Sequence, residues 1–80
     1  MDKTKHIETL VSFLPDIDYG SSGSFVRALQ KIMQQYGWYD GAITGEADEQ
    51  TVKGIRLTQI ALGLDEDGFC GKQMWLALLS

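Results

Sequence analysis

The sequence predicts an all-α fold: a compact three-helix domain with Gly-rich connecting loops and a short extra N-terminal helix. Three observations carry this. Apolar residues recur at helical steps of three and four in four separate segments, no segment sustains period-2 alternation, and glycines cluster between the helical stretches. A chain of 80 residues is one small domain. With 44% hydrophobic and 22% charged residues it has a globular balance.

The first segment, with Ile7, Leu10, Val11 and Leu14 at helical spacing, is stopped by Pro15. The second runs from Ser24 to Tyr36, with Phe25, Leu29, Ile32 and Tyr36 as the expected inward stripe. Ser21, Ser22 and Ser24 offer N-cap oxygens, and Gly37 is the expected stop. The third runs from about Asp48 to Leu62, with Asp48 as N-cap, Val52, Ile55 and Leu62 inward, and Gly63 as terminator. The fourth starts near Lys72 and carries Met74, Trp75, Leu78 and Leu79, with Trp75 expected to be buried against Leu29, Ile55 and Leu78.

The glycine turns repeat. A shift of 26 residues superposes Val26, Leu29 and Gly37 on Val52, Ile55 and Gly63, and a shift of 23 superposes Gly45, Ala47, Gln50 and Thr51 on Gly68, Cys70, Gln73 and Met74. The chain thus reads as two diverged helix–loop units, the second loop three residues shorter on these shifts.

Charge and composition exclude several function classes. Seven Lys plus Arg against eleven Asp plus Glu give a net charge of −4, which opposes nucleic acid and anionic membrane surfaces as partners. No apolar run approaches the roughly 20 residues needed to span a bilayer. The start carries Asp2 and Glu8 and no long apolar stretch, so it does not read as a signal peptide. The expectation is that the chain is one module of a longer exported protein or, if it is complete, a cytoplasmic protein. One Cys and one His permit neither an internal disulfide nor a dense metal cluster. The domain must therefore rely on packing.

The residues then carry a resemblance. Gly20-Ser21-Ser22-Gly23, Val26, Leu29-Gln30, Gly37-Trp38-Tyr39, Gly41, Ile43, Gly45 and Thr51 stand in order. Gln59, Gly63-Leu64, Asp67-Gly68, Gly71, Trp75 and Leu78 continue in register. This string resembles the peptidoglycan-binding domain family from about Tyr19 to Leu79. It sets the expected organisation as an N-terminal helix and lead-in over 1–18 and a peptidoglycan-binding-like domain over 19–80. The resemblance implies a non-catalytic cell-wall module that anchors a linked hydrolase to its substrate, with the stem peptide and amino sugar of peptidoglycan as ligand and no cofactor. The alternative is a protein–protein interaction domain that reuses the scaffold. Thr44, Ala47-Asp48, Thr58 and Met74 depart from the family pattern, and two aromatic core contributors are smaller here. Met74, Phe69, Ile7, Leu10 and Val11 are the expected compensators.

Other candidates for chemistry have plainer readings. Asp65-Glu66-Asp67 lacks the alternating ligands of a calcium loop and reads as a solvated turn, with Asp67 capping the next turn through its side chain. His6 reads as a surface residue and Cys70 as a small buried thiol. Ser21-Ser22-Gly23-Ser24 has no following Lys or preceding strand and is no phosphate loop. No nucleophile–base pair, carboxylate pair or metal set can be assembled, so the chain is not expected to be an enzyme. The ligand surface is expected where the first glycine loop faces the third helical segment, using Trp38, Tyr39, Asp40 and Thr44 from the loop and Thr58 or Gln59 from the helix. At least one of Trp38 and Tyr39 is expected to pack inward. Tyr39→Ala and Gln59→Ala are expected to weaken binding without disturbing the fold.

Overall fold

The computed structural model describes residues 3–80, with burial described from His6 onward. Met1 and Asp2, on which the reading of the chain start partly rests, lie outside the described residues. Among the described residues four helices occur in order: α1 (Lys3–Val11), α2 (Ser24–Gln35), α3 (Glu49–Leu62) and α4 (Lys72–Leu79). Helix α1 packs on α4 and α2 on α3. Among the described residues there is no strand, only two isolated antiparallel bridges, Ile17 with Cys70 and Ser22 with Glu46.

Helix α1 buries Val11 and packs Ile7 against the core, whereas Leu10 faces solvent at 62% exposure. The N–H groups of Phe13 and Leu14 donate to the carbonyls of Leu10 and Val11 at 3.1 and 3.0 Å, tightening the exit before Pro15. The Pro15 carbonyl accepts the Trp75 indole N–H at 2.8 Å. Beyond it, the lead-in threads between the two glycine loops. Ile17 exchanges backbone bonds with Cys70 at 2.9 and 2.7 Å. Gly20 N–H donates to Ala47 O at 2.9 Å, and Ala47 N–H to Ser21 O at 2.8 Å. These bonds, with Val11 and Ile17 nearly inaccessible, place the lead-in and the later helices around one core.

Helix α2 corrects the expected stripe. Its buried residues are Val26, Leu29, Gln30 and Met33, while Phe25 and Tyr36 are exposed and Ile32 is half-buried. Both stripes obey helical spacing and share Leu29. Apolarity favours the aromatic one, but a buried, fully bonded Gln30 selects the other. The capping expectation is corrected too. Gly23, at φ 124, is the N-cap and no side chain caps the helix. Ser21 Oγ instead accepts from Asp18 N–H at 3.1 Å and donates to Asp18 Oδ1 at 3.2 Å.

Helix α3 starts as its sequence dictates, with Asp48 Oδ1 accepting from Thr51 N–H and Thr51 Oγ1, both at 2.9 Å. It ends at Gly63, whose left-handed φ of 72 lets Leu64 N–H reach Gln59 O at 2.8 Å. The inward face is Thr51, Gly54, Ile55, Thr58 and Gln59, while Val52 and Leu62 are half-buried. Gly54 sits where α3 packs tightly on α2 and the turn that follows it. A Cβ there would lie 3.0 Å from Trp38 O and 3.3 Å from Met33 Cε. Thr58 hides its hydroxyl by donating to Gly54 O at 2.8 Å.

Helix α4 buries Met74 and Trp75 as expected. Of the expected compensators, Met74 and Val11 are buried and Ile7 packs on the core, but Phe69, at 41% exposure, and Leu10 stand outside it. Both sit on the solvent side of turns whose inward positions are taken by Cys70 and Val11.

Candidate functional site

The two glycine loops are held by one device used twice. Gln30, on α2, is inaccessible to solvent. Its Oε1 accepts from the N–H groups of Thr44 and Gly45 at 3.0 and 2.9 Å, and its Nε2 donates to Glu46 O at 3.0 Å and Thr51 Oγ1 at 3.0 Å. Gln59, on α3, repeats this. Its Oε1 accepts from Asp67 and Gly68 N–H at 3.1 and 3.0 Å, and its Nε2 donates to Asp67 Oδ1 at 2.8 Å and Phe69 O at 2.9 Å. Thr44 and Asp67 complete the parallel: each side-chain oxygen accepts the N–H two residues on, at 3.1 and 2.9 Å. Gly45 and Gly68 adopt φ of 80 and 74, turning their N–H groups onto the glutamines.

This pattern corrects the register of the internal repeat. Gln30 precedes Gly45 by 15 residues and Gln59 precedes Gly68 by 9. The helices therefore correspond at a shift of 29, not 26, and the second loop is six residues shorter. The 23-residue shift of the loops stands.

A shallow cleft of about 250 Å³ opens where the first loop meets α3. One wall is Gly37 through Asp40, and the other is Gln50, Lys53, Gly54 and Leu57. Trp38 is half-buried and stacks on the exposed Tyr36, ring centroids 4.9 Å apart at 22°. Tyr39 is 5% exposed and donates its hydroxyl to Ala42 O at 2.5 Å. Asp40 Oδ1 accepts from Gln50 Nε2 at 3.3 Å, tying loop to helix. Asp40, Gln50, Lys53 and Leu57 are all exposed. A second cleft of about 240 Å³ lies between the second loop and the start of α4, lined by Leu64, Asp65, Phe69, Lys72 and Gln73 among others.

The structure thus brings Trp38, Tyr39 and Asp40 to one cleft, places Gln59 at the second, and places Thr44 and Thr58 at neither. Thr44 belongs to the Gln30 clamp, Thr58 is buried in α3, and Gln59 clamps the second loop. The burial of Tyr39 and Gln59 corrects the expectation that either can be truncated without harm to the fold. Gln50, Lys53 and Leu57 went unnoticed in the sequence. Their signal is a three-residue row on the exposed side of α3, one turn apart and facing away from Thr51 and Ile55.

The remaining candidates have structural roles. Asp67 caps its turn as expected, and the Phe69 N–H followed by the Gln59 amide holds its carboxyl below the ordinary 3.8. Cys70 is buried. Desolvation, then the charge of Asp16, pushes its thiol up to about 12, the opposite of an activated nucleophile. His6 is exposed. Among the described residues, no group of three or more His, Cys, Asp or Glu is placed to hold a metal. No described helix is long and apolar enough to cross a membrane.

The architecture is a small helical core that presents two glutamine-clamped glycine loops. The putative peptidoglycan binding domain family matches residues 22–78, well over half of the sequence, and the chain belongs to that family. Its fold is similar to a structure described as the crystal structure of the SleB N-terminal domain, with 30% sequence identity and a TM-score of 0.79. That likeness covers 82% of this chain and 90% of the other. No curated protein sequence matches the chain significantly.

Proposed function

We propose that this domain binds peptidoglycan without cutting it, through the cleft between the first loop and α3. Membership of the family supports the ligand, and the single observation that supports the place is the juxtaposition of Trp38, Asp40, Gln50 and Lys53 around one opening. The chemistry suits a peptide joined to an amino sugar. The Trp38–Tyr36 pair offers an aromatic face to the apolar side of a sugar ring. Lys53 presents a cation to a peptide carboxylate, and Asp40 with the Gln50 amide takes amine and amide hydrogens. At about 250 Å³ the cleft is below the roughly 300–1,000 Å³ of drug-sized sites. It fits a fragment of the wall, and a fragment-sized contact is weak. Weak binding serves a module that keeps a linked cell-wall hydrolase near many copies of its substrate, which gives the protein a wall-associated location.

Retention on purified, protein-free sacculi tests this reading. Wild type is expected in the pellet, and an Asp40→Asn/Lys53→Gln variant, changed only at exposed positions, is expected to bind about tenfold less or worse. Its melting temperature should match wild type. A folded variant that binds like wild type places the site elsewhere. A wild type that never enters the pellet transfers the scaffold to a protein-interaction role.

A further inference from the structure

We propose that the second cleft is a second binding site for the same class of ligand, a carboxylate-bearing wall peptide, so that one domain grips the polymer at two points. This rests on the wall-binding reading above. Its own support is the likeness of the two clefts in size and lining, with one pair of lining residues related by the internal repeat.

The two clefts have nearly the same size, about 250 and 240 Å³, and share an aromatic ring, a carboxylate, a glutamine, a lysine and a leucine. The first offers Trp38, Asp40, Gln50, Lys53 and Leu57. The second offers Phe69, Asp65, Gln73, Lys72 and Leu64, and is also lined by Asp67 and Gln59, whose side chains are bonded to each other in holding the loop. In each, the acidic residue comes from the loop after one helix, and the lysine and glutamine come from the next helix. Gln50 and Gln73 correspond under the same 23-residue shift that relates Gly45 to Gly68. Neither lysine nor acid is consumed by the core: Asp40, Lys53, Asp65 and Lys72 are all exposed. The second loop is anchored from below by Gln59, and the wall of the first cleft by the Trp38 N–H on Met33 O and the Tyr39 hydroxyl on Ala42 O, so each cleft is pre-formed rather than folded around its ligand.

The floor of the second cleft is also built for a ring. A Cβ on Gly71 would lie 2.8 Å from Phe69 Cε1, so the missing side chain gives the half-exposed phenyl its place along the cleft. Phe69 left the core, contrary to expectation, and this cleft is where it went. An exposed aromatic beside a lysine and an acid repeats the first site's chemistry at the far end of α3. Gln50 and Gln59 are nine residues apart, which sets the two sites roughly 13 Å apart along the helix axis. Two weak contacts on one rigid body raise retention on a polymer by about 10²–10⁴-fold over either alone.

The test is a titration of the ¹⁵N-labelled chain with soluble muropeptides, the disaccharide-peptides that a muramidase releases from sacculi. Two sets of amide signals are expected to move, one around Asp40, Gln50 and Lys53 and one around Asp65, Lys72 and Gln73. Lys53→Gln should silence the first set alone, and an Asp65→Asn/Lys72→Gln variant the second alone. Either variant should lose at least about tenfold in retention on intact sacculi, beyond the twofold expected when one of two independent sites is removed. If only the first set moves, the second site is overturned and the wall-binding reading stands. If only the second moves, two-point binding falls together with the placement of the first site. If neither moves, both proposals fall.

Discussion

Gln30 and Gln59 occupy equivalent positions in the two halves of the molecule, and each holds a glycine turn by accepting two consecutive backbone N–H groups on one amide oxygen. Both side chains are buried. Each amide nitrogen then donates to the carbonyl just after the turn, Glu46 O for Gln30 and Phe69 O for Gln59. A buried glutamine is costly unless its bonds are made, and here all of them are.

Removing either clamp should therefore destabilise the domain. Gln59→Ala strips a partner from two N–H groups and leaves a void, and the expected cost is about 2–4 kcal/mol. In a chain this small, that lowers the melting temperature by roughly 10 °C or more. Gln30→Ala should behave alike. Thermal unfolding followed by circular dichroism decides it. A variant that melts within about 2 °C of wild type would show that the turns hold without the clamp.

Trp75 joins the last helix to the lead-in through its indole bond to Pro15 O at 2.8 Å. Trp75→Phe keeps most of the buried ring and loses that bond, for an expected cost of about 1–2 kcal/mol. Trp75→Ala empties the site and should cost about 3–5 kcal/mol, enough to unfold much of the population. Equal stability of the two variants would mean that the ring volume does not matter, and a Trp75→Phe protein as stable as wild type would mean that the bond does not.

The buried thiol of Cys70 makes stability fall at high pH. Its folded value is raised from the ordinary 9.0 to about 12. The contribution is thus complete below pH 9 and is lost as pH rises from 9 towards 12, where only the unfolded chain ionises. Wild type should lose melting temperature over this range faster than Cys70→Ala. Native protein should also react slowly with a thiol reagent and denatured protein quickly. Parallel pH curves for the two proteins would contradict the burial.

Acid acts through Asp48 and Asp67, both held below 3.8 by backbone N–H groups, those of Thr51 and Phe69 first. A lowered folded value contributes stability above the unfolded value and loses it as pH falls through the folded one. The melting-temperature gap between wild type and an Asp48→Asn/Asp67→Asn variant should hold from pH 7 to 5 and close below about pH 3.8. A gap that is constant down to pH 2 would exclude this linkage.

How much of the fold was legible in the sequence depends on the range over which each feature is decided. Asp48 and Gly63 were legible because a cap and a left-handed stop are decided within four residues. The burial of Trp75 and Cys70 was legible because the repeat placed both at inward positions. The inward face of α2 was not, since choosing Val26 and Met33 over Phe25 and Tyr36 depends on loop N–H groups 14 and 15 residues away that bind Gln30. Hydropathy assigns a glutamine to the surface, so the clamp made by Gln59 was not legible, and the six-residue difference between the loops was read as three. At the cleft, Trp38, Tyr39 and Asp40 were legible as an aromatic and polar cluster beside a glycine loop. Lys53 and Leu57 were not, because an exposed row on an amphipathic helix looks like any solvated face until a loop is seen across from it.

Binding to intact sacculi, measured over a range of protein concentrations with the supernatant assayed for released muropeptides, tests the central claim most directly. The account predicts saturable uptake of wild type, at least about tenfold weaker uptake by Asp40→Asn/Lys53→Gln at unchanged melting temperature, and no muropeptide release by either. Uptake that rises linearly without saturation, equally for both proteins, or release of wall fragments by the purified chain, would contradict it.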